Sequence, residues 1–285
     1  VGTRWSRGVR SACVGSAADA DRSAVGNIVR EVDMNQQRSG ASTGEGGTAS
    51  VDVVIPVYNE EVVLEQSITK LREYLGTHCP YRWKIIIANN ASKDRTLEIA
   101  RGLAERFPDE VGVVHLDQKG RGRALKRAWS ESTADVMTYM DVDLSTNLDH
   151  FMPMIRPIVE GRYHLATGSR LMRGARVKRQ PKREIISRCY NLIVKTMFPS
   201  RKFFDAQCGF KAIDAAVRSE LLPHIIDNAW FFDTELLLRA EQRGWRVWEL
   251  PVEWIEDLDT RVKIWDTAIE DLKGLVRVRL TPLKR

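Results

Sequence analysis

The chain has 285 residues and a mass of 32.5 kDa, enough for one large domain or two small ones. Hydrophobic residues make up 43% and charged residues 29%, a balance that excludes disorder of the whole chain. The four cysteines lie far apart without a CxxC pair, which disfavours zinc sites and dense disulfides and indicates a reducing cytosol. No run of about 18 apolar residues occurs, so the sequence predicts no ordinary transmembrane helix.

The positive charge is concentrated in one segment. The formal net charge is +6, and residues 170–188 hold eight arginines and lysines against the single acid Glu184, a local charge of +7. The rest of the chain is therefore almost neutral, at −1. Such a segment predicts a concentrated anion as its partner, either a phosphate, a diphosphate or a phospholipid surface, and a solvated basic loop is the alternative.

The beginning of the chain differs in composition from the rest. Residues 1–48 are rich in Gly, Ser and Ala without a sustained apolar period, which predicts a disordered leader. This stretch lacks the apolar core of a secretory signal. We hypothesise that translation of the natural protein starts at Met34, which the mass of the native protein would test.

From residue 51 the sequence alternates between apolar runs and amphipathic stretches. Short runs rich in β-branched residues predict strands at 51–57, 83–88, 111–116 and 135–140. Apolar residues at spacings of three and four predict helices at 64–75, 97–107 and 122–130. This alternation indicates an α/β fold with a parallel sheet, helices on both faces, and ligands at the carboxyl ends of the strands.

The regular alternation weakens after residue 170. A helix is predicted near 184–198, a compact segment at 205–211, a helix at 232–243 and a strand-like stretch at 245–254. The predicted organisation is a leader at 1–48, one domain at 49–260 and a basic amphipathic tail at 261–285. The tail suits a membrane interface, although a helix packed on the domain's own core is an equally good interpretation. Its apolar face consists of Trp265, Ala268, Ile269, Leu272, Leu275 and Val276.

Two carboxylates follow the fourth predicted strand. Asp141 and Asp143 are separated by one residue, so both can approach a single divalent cation. Mg²⁺ and Mn²⁺ prefer such oxygen ligands and keep water and phosphate oxygens in their remaining positions. A solvated turn is the alternative for an isolated DxD, but the position at a strand end favours a metal site.

Polar segments also end the other three strands. They are 58–61 after the first strand, 89–96 after the second and 117–121 after the third. Each alone is typical of a turn or a helix cap, but their coincidence at one sheet edge indicates a nucleotide site. Neither GxGxxG nor GxxxxGK[ST] occurs, which disfavours a dinucleotide-binding Rossmann site and a P-loop.

Together these motifs resemble a known family. The similarity is to inverting family 2 glycosyltransferases at VVIPVYNEE (53–61), NNASKDRT (89–96), KGRG (119–122), DVDLS (141–145) and GSR (168–170). Three further motifs resemble polyprenyl-phosphate and dolichyl-phosphate glycosyltransferases, nearest to dolichyl-phosphate β-glucosyltransferases: DAQCGFK (205–211), WFFDTELL (230–237) and PVEW (251–254). The resemblance implies a GT-A type, Rossmann-like, mostly parallel sheet flanked by helices, with acceptor-side helices towards the C-terminus.

The resemblance also implies an activity and a set of site residues. The activity is metal-dependent inverting transfer of glucose or mannose from UDP-glucose or GDP-mannose to a polyprenyl phosphate, in cell-envelope glycan or glycoprotein synthesis. By motif match, the nucleotide-sugar pocket contains Pro56, Tyr58, Glu60, Asn90, Asp94, Lys119, Gly120 and Asp141. Mg²⁺ or Mn²⁺ is held by Asp141 and Asp143, and the catalytic positions are Asp141, Asp143, Arg170, Arg183 and Ser187. The acceptor side comprises Arg183, Ser187, Arg188, Asp205, Asp233 and Glu235.

The sequence departs from the family pattern in two respects. Many members have two aspartates where this chain has Asn89 and Asn90, and many have transmembrane segments. The resemblance therefore implies a cytoplasmic enzyme, peripheral at the cytoplasmic face, that reaches its acceptor through an anionic membrane surface or a membrane-protein partner.

Two alternatives remain open from the sequence. A family 2 enzyme that transfers to a saccharide hydroxyl would need a carboxylate base, for which Asp205, Asp233 and Glu235 are candidates. A non-enzymatic protein could bind nucleic acid or anionic lipid through the basic segment. No aromatic residue interrupts that segment, which disfavours single-strand stacking, so no nucleic-acid partner is expected.

Overall fold

The computed structural model of the chain describes residues 48–255 and 264–283. Its strands are β1 (Ser50–Val57), β2 (Arg82–Asn90), β3 (Val111–Leu116), β4 (Val136–Met140), β5 (Leu165–Ser169), β6 (Arg176–Lys178), β7 (Phe210–Asp214), β8 (Val247–Pro251) and β9 (Glu253–Ile255). Its α-helices are α1 (Leu64–His78), α2 (Thr96–Arg106), α3 (Arg121–Glu131), α4 (Phe151–Val159), α5 (Pro181–Met197), α6 (Phe232–Gln242) and α7 (Ile264–Leu280). The predicted leader, except its last residue, lies outside the described residues.

Seven of these strands form one sheet in the order β3-β2-β1-β4-β7-β5-β8. β1 lies parallel to β2 and β4, with Val53 opposite both Ile85 and Thr138. β7 is antiparallel to its neighbours β4 and β5, whereas β5 and β8 are parallel. The predicted α/β class with a mostly parallel sheet is confirmed.

The sheet separates two hydrophobic cores because adjacent residues of each buried strand point to opposite faces. Val53 and Ile55 of β1 pack in the first core, with buried residues of α1, α2 and α4. Val54 packs in the second core, with buried residues of α3, α5, α6 and α7. The fold is therefore a three-layer sandwich, and both faces of the central strands are dry.

The sequence predictions failed where the local signal was weak. β5 has the sequence LATGS, and α4 contains Pro157, a residue that disfavours helix interiors. β5 is nevertheless completely buried within the sheet, and α4 buries one side against it. This burial outweighs the weak local propensity of both elements. The compact segment predicted at 205–211 ends in β7, and the strand-like stretch at 245–254 is two strands.

The C-terminal helix α7 buries one side and exposes another. Leu275 and Val278 are completely buried in the second core, while Ile269, Leu272 and Val276 remain between 43% and 53% exposed. The helix thus packs on the domain and still presents apolar side chains to the surface. Residues 256–260 of the predicted domain, residues 261–263 and 284–285 of the predicted tail, and the side chain of Trp265 lie outside the described residues.

A glycine allows this helix to approach α6 closely. A Cβ atom at Gly274 would overlap the ring of Phe231, whereas a Cβ atom at Gly102 in α2 would meet nothing within 4 Å. We expect Gly274→Ala to lower the free energy of unfolding by about 1–3 kcal/mol through overpacking. Gly102→Ala is the matched control and should raise it by about 0.5–1 kcal/mol, because alanine has the higher helix propensity. Urea unfolding measures both changes, and equal effects would contradict the close packing of α7.

Candidate functional site at the carboxyl edge of the sheet

Backbone strain is concentrated at the carboxyl edge of the sheet. Among the described residues, three non-glycine residues have positive φ angles: Asn59 (57°), Ala91 (60°) and Leu144 (50°). They lie in the loops that follow β1, β2 and β4. Non-glycine residues adopt this conformation at a cost and are concentrated at functional sites. The strain therefore marks the edge where the topology places a ligand site.

The loops after β1 and β2 are bonded to each other. The Asn59 N–H donates to Ser92 Oγ at 3.0 Å, and the Lys93 N–H donates back to Asn59 Oδ1 at 2.8 Å. The Glu60 N–H donates to Thr96 Oγ1 at 2.8 Å. These bonds hold the two loops as one rigid unit.

Asp94 fixes the same two loops. Its Oδ1 accepts from the Thr96 N–H at 3.0 Å and its Oδ2 accepts from the Glu61 N–H at 3.3 Å. Burial raises the pKa of the Asp94 carboxyl, but the hydrogen bonds from Thr96 and Glu61 bring it below its usual range. The carboxylate is ionised and shapes the predicted pocket.

The loop after β3 joins this edge. The Lys119 ammonium lies 3.5 Å from the centre of the Tyr58 ring, which places two predicted pocket residues together. The Gly120 N–H donates to Asn90 Oδ1 at 2.6 Å, so this asparagine anchors the glycine loop. Pro56 lies near the end of β1, two residues before Tyr58. The carboxyl ends of β1, β2 and β3 thus form one continuous polar surface.

Arg121 connects this surface to the loop after β4 that contains Asp141, Val142 and Asp143, the DVD loop. Its Nη2 donates to Asp141 Oδ1 at 2.7 Å, and its Nη1 donates to Asp233 Oδ2 at 2.7 Å. Burial lowers the pKa of Arg121, but the carboxylates of Asp141 and Asp233 raise it well above its usual value. The guanidinium is a permanently charged bridge between β4 and α6.

The second partner of this arginine is itself held by a buried cation. Lys211 Nζ lies 3.2 Å from Asp233 Oδ1, and the Tyr139 hydroxyl donates to the same oxygen. Lys211 is completely buried and also donates to the Cys208 carbonyl at 2.6 Å. Burial raises the pKa of Asp233, but Lys211 and Arg121 bring it below its usual range. Asp233 is therefore an ionised structural carboxylate.

The DVD loop has the donor groups that a hard cation prefers. Asp143 is exposed and Asp141 is partly exposed, and the buried hydroxyl of Ser145 has no hydrogen-bond partner among the described residues. A Cβ atom at Gly209 would overlap the Asp141 carboxylate, so glycine there leaves room for it. The described part of the chain contains no cluster of three or more metal-ligating side chains. One or two carboxylates are what Mg²⁺ takes from a protein when water and phosphates complete its shell, so these residues fit such an ion.

Arg170 and Asp205 form a buried bidentate pair. Arg170 Nε and Nη2 donate to the two Asp205 oxygens at 2.7 and 3.0 Å, and the Arg170 N–H donates to Oδ2 at 3.1 Å. Burial raises the pKa of Asp205, but the Arg170 guanidinium and the backbone hydrogen bonds lower it to about 2. The pair ties the end of β5 to the segment before β7.

The basic segment is divided between internal pairs and free surface. Arg179 and Arg188 both form ion pairs with Glu184. Four further basic residues are exposed and make no ion pair among the described residues: Arg173, Arg176, Lys178 and Lys182. The predicted acceptor residues Arg183 and Ser187 lie one turn apart on α5, and the Ser187 hydroxyl is buried without a hydrogen-bond partner in the described residues.

Glu235, which the sequence predicts on the acceptor side, connects helices. It is completely buried on α6 and lies 2.8 Å from Arg277 Nη2 on α7 and 3.6 Å from Arg239. The Asp227 N–H donates to Glu235 Oε2 at 2.8 Å. Arg277 is therefore paired within the protein, and Glu235 joins α6 to α7.

Sequence reasoning did not select the central residues of this network. Arg121 lies between two glycines of KGRG, and Lys211 interrupts the apolar strand FKAI. A lysine in a buried strand requires an acidic partner, which is the signal that could have found it. Tyr139 is indistinguishable in sequence from the apolar residues around it.

A comparison with protein families identifies the chain. Residues 52–222 match the model of "Glycosyl transferase family 2". The chain belongs to this family. The match begins in β1 and includes the DVD loop, Arg121, Arg170 and Lys211, and it ends before α6 and α7.

Similar proteins extend the comparison. The chain is 36% identical over 242 residues to glycosyltransferase AglD of Haloferax volcanii, covering 84% of this chain and 38% of AglD. It is 29% identical to the dolichyl-phosphate β-glucosyltransferase ALG5C of Trichomonas vaginalis, covering 74% of this chain and 65% of that protein. The chain therefore spans less than two thirds of the length of either relative.

A solved structure shares the fold. It is glucosyl-3-phosphoglycerate synthase of Mycobacterium tuberculosis in complex with Mn²⁺, UDP-glucose and phosphoglyceric acid, with a TM-score of 0.60 and 16% identity. The alignment covers 82% of this chain and 81% of that one. The predicted GT-A type architecture is confirmed by this likeness.

The Arg170–Asp205 pair predicts acid sensitivity. The pKa of Asp205 is about 2 in the folded protein and 3.8 in the unfolded chain, so its stabilisation is present above pH 4 and is lost as the pH falls towards 2. The shift corresponds to about 2 kcal/mol. The free energy of unfolding of the wild type should decline as the pH falls through this range. Asp205→Asn should be less stable than the wild type by about 3–5 kcal/mol, because it leaves Arg170 unpaired, and it should lack this decline. Asp109→Asn at the surface is the control, and a decline of the same size in Asp205→Asn would contradict the assignment.

Proposed function

We propose that this chain transfers glucose, with inversion, from UDP-glucose to a polyprenyl phosphate at the cytoplasmic face of a membrane. The observation that carries this proposal is the DVD loop, held by Arg121 at the carboxyl edge of a family 2 glycosyltransferase sheet. Relatives named dolichyl-phosphate β-glucosyltransferases support a lipid phosphate as the acceptor.

The polar edge of the sheet supports a nucleotide-diphospho-sugar as the donor. Tyr58 and Lys119 offer a ring and a cation side by side, and the Asn90-anchored Gly120 loop exposes backbone where phosphate or base can approach. The shared fold with an enzyme crystallised with UDP-glucose favours UDP-glucose over GDP-mannose.

Asp141 and Asp143 are the residues that would hold a divalent cation, Mg²⁺ or Mn²⁺. When bound, the ion would supply positive charge to the donor diphosphate and stabilise the leaving nucleoside diphosphate. The hydrogen bond from Arg121 fixes the orientation of the Asp141 carboxylate, so this metal-ligating group is in place before the donor binds.

The acceptor side does not require a general base. A phosphate monoester is already anionic near neutral pH, so its oxygen can attack without losing a proton to the protein. Arg183 and Ser187 on α5 are the groups we assign to positioning this phosphate, because arginine binds phosphate oxygens in a bidentate manner.

Transfer to a saccharide hydroxyl is the second candidate. It needs a carboxylate that can accept a proton, but Asp205, Asp233 and Glu235 are each buried and ion-paired. This environment disfavours the second candidate. A nucleic-acid-binding function would produce a salt-dependent gel shift and no glycosyl transfer.

A transfer assay tests the proposal. The purified chain is incubated with dolichyl phosphate in detergent and with radiolabelled UDP-glucose or GDP-mannose, and the label in the organic extract is counted. We expect UDP-glucose to label the lipid, and EDTA to stop the reaction until Mg²⁺ or Mn²⁺ is restored. Label that enters only soluble saccharides would overturn the lipid acceptor.

Variants of the DVD loop test the metal assignment separately. Asp141→Asn and Asp143→Asn should each lower transfer by about 100-fold or more and weaken Mn²⁺ binding in calorimetry, because an amide is a poorer ligand for a hard cation. The matched control is Asp149→Asn, an exposed acid six residues beyond Asp143. Unchanged Mn²⁺ affinity in both loop variants would contradict the metal site.

Surface features of α5 and α7 support peripheral membrane binding. No helix in the described part of the chain is long and apolar enough to cross a bilayer. Ile185 and Leu192 on α5 are 62% and 66% exposed, and Leu280 on α7 is 75% exposed. The exposed basic residues Arg173, Arg176 and Lys178 lie shortly before α5, and Lys182 lies in its first turn. Apolar and cationic side chains therefore occur together, which favours binding to anionic membranes.

Vesicle flotation measures this attachment. We expect binding to vesicles that contain phosphatidylserine, a decrease at high ionic strength, and a loss of about 1 kcal/mol for each of Arg176→Ala and Lys178→Ala. Ile185→Glu combined with Leu192→Glu should abolish binding. Val62→Glu is the control, since Val62 is 87% exposed before α1 and is not part of this surface. An equal effect of Val62→Glu would contradict the assigned surface.

A further inference from the structure

A buried acid on the C-terminal helix lies outside the family match and has no role in the proposed transfer. Asp271 is on α7 and only 2% exposed. Its Oδ2 accepts from Gln207 Nε2 at 2.9 Å, while its Oδ1 has no hydrogen-bond partner in the part of the chain that the structure describes. No lysine or arginine in the described residues forms an ion pair with it. A buried carboxyl group with one free oxygen is costly, which calls for a functional explanation.

Gln207 belongs to a short loop that contacts the site at both ends. Residues 205–209, the 205–209 loop, start at Asp205, which holds Arg170, and end at Gly209, which lies against the Asp141 carboxylate. Within the loop, the Gln207 N–H donates to Asp205 Oδ1 at 3.1 Å. A displacement of Gln207 would therefore move both the partner of Arg170 and the backbone beside Asp141.

We propose that Asp271 is a positioning residue of the transfer site, which holds the 205–209 loop in place through Gln207. That the site performs transfer rests on the proposed function, whereas the contact between α7 and the 205–209 loop does not depend on it. It extends the site from α6 to the C-terminal helix α7, which also lies outside the family match at residues 52–222.

The surroundings of Asp271 make its contact with Gln207 responsive to pH. It faces Asp227 before α6, Asp233 on α6 and Tyr190 on α5, besides Gln207. Burial, and then repulsion by Asp227 and Asp233, raises the pKa of Asp271 to about 7, against which the Gln207 bond is a smaller effect. The group is thus protonated below neutral pH, and its ionisation places a third negative charge beside the two aspartates.

The sign of the effect on stability follows from this shift. The unfolded acid releases its proton near pH 3.8, and the folded acid retains it up to about pH 7. Stability from this group is therefore fully present below pH 3.8 and decreases as the pH rises towards 7. Asp271→Asn is permanently neutral and can still accept from Gln207, so it should raise the melting temperature at pH 8 and change it little at pH 4.

Steady-state kinetics test the positioning role. Wild type should lose kcat/KM as the pH rises above 7, and Asp271→Asn should match wild type at pH 6 and lack this loss. Asp271→Ala and Gln207→Met, which remove the contact, should lower kcat/KM by about 10- to 100-fold, as for other supporting residues of metal sites. Glu270→Gln is the matched control, because Glu270 is the adjacent exposed acid and pairs with Lys273.

Hydrogen exchange provides a readout that needs no transfer. At pH 6.5, peptides that contain the 205–209 loop should exchange faster in Asp271→Ala and Gln207→Met than in wild type, while α1 peptides should not change. Unchanged loop exchange, or faster exchange without a change in kcat/KM, overturns the positioning role. If no donor supports transfer but the loop responds, the proposed function fails and the contact between α7 and the loop stands.

Discussion

The charge of Arg121, buried between Asp141 and Asp233, is the constraint on which the site depends. A guanidinium removed from water is tolerated only if carboxylates surround it, and each of these carboxylates belongs to a different element. The arginine begins α3, Asp141 follows β4 and Asp233 is in the first turn of α6. Lys211 on β7 then compensates the second negative charge of this cluster. The ion pairs therefore determine how two helices meet the central strands, and they orient the DVD loop.

The other loops at this edge are rigid for a related reason. Hydrogen bonds between the loops after β1 and β2 offset the strain of left-handed residues such as Asn59 and Ala91. A site held in this way does not have to reorganise when a charged ligand binds, which is the condition for strong electrostatic stabilisation. Asp94 and Asn90 contribute to this rigidity, because their side chains accept hydrogen bonds from backbone N–H groups of the loops and do not extend into solvent.

The charged residues of the chain fall into two groups with different physical tasks. Buried carboxylates such as Asp205 and Glu235 form ion pairs with arginines and join elements of the fold. Four basic residues, Arg173, Arg176, Lys178 and Lys182, stay exposed and form the cationic surface to which the proposed membrane attachment is assigned. Asp271 differs from both groups, because it is buried without a cationic partner among the described residues and its charge therefore depends on pH.

The sequence by itself determined the α/β class, the strands β1 to β4, the polar edge and the DVD motif, because strand and helix periods and loop residues are local properties. It did not predict α4 and β5, whose prolines, glycine and short length give weak local signals and whose burial against the sheet decides their conformation. Only the tertiary structure revealed the partners of Arg121, Lys211 and Asp271. Those partners lie far away along the chain, and the cost of burying a charge is decided by which side chain the fold places opposite it.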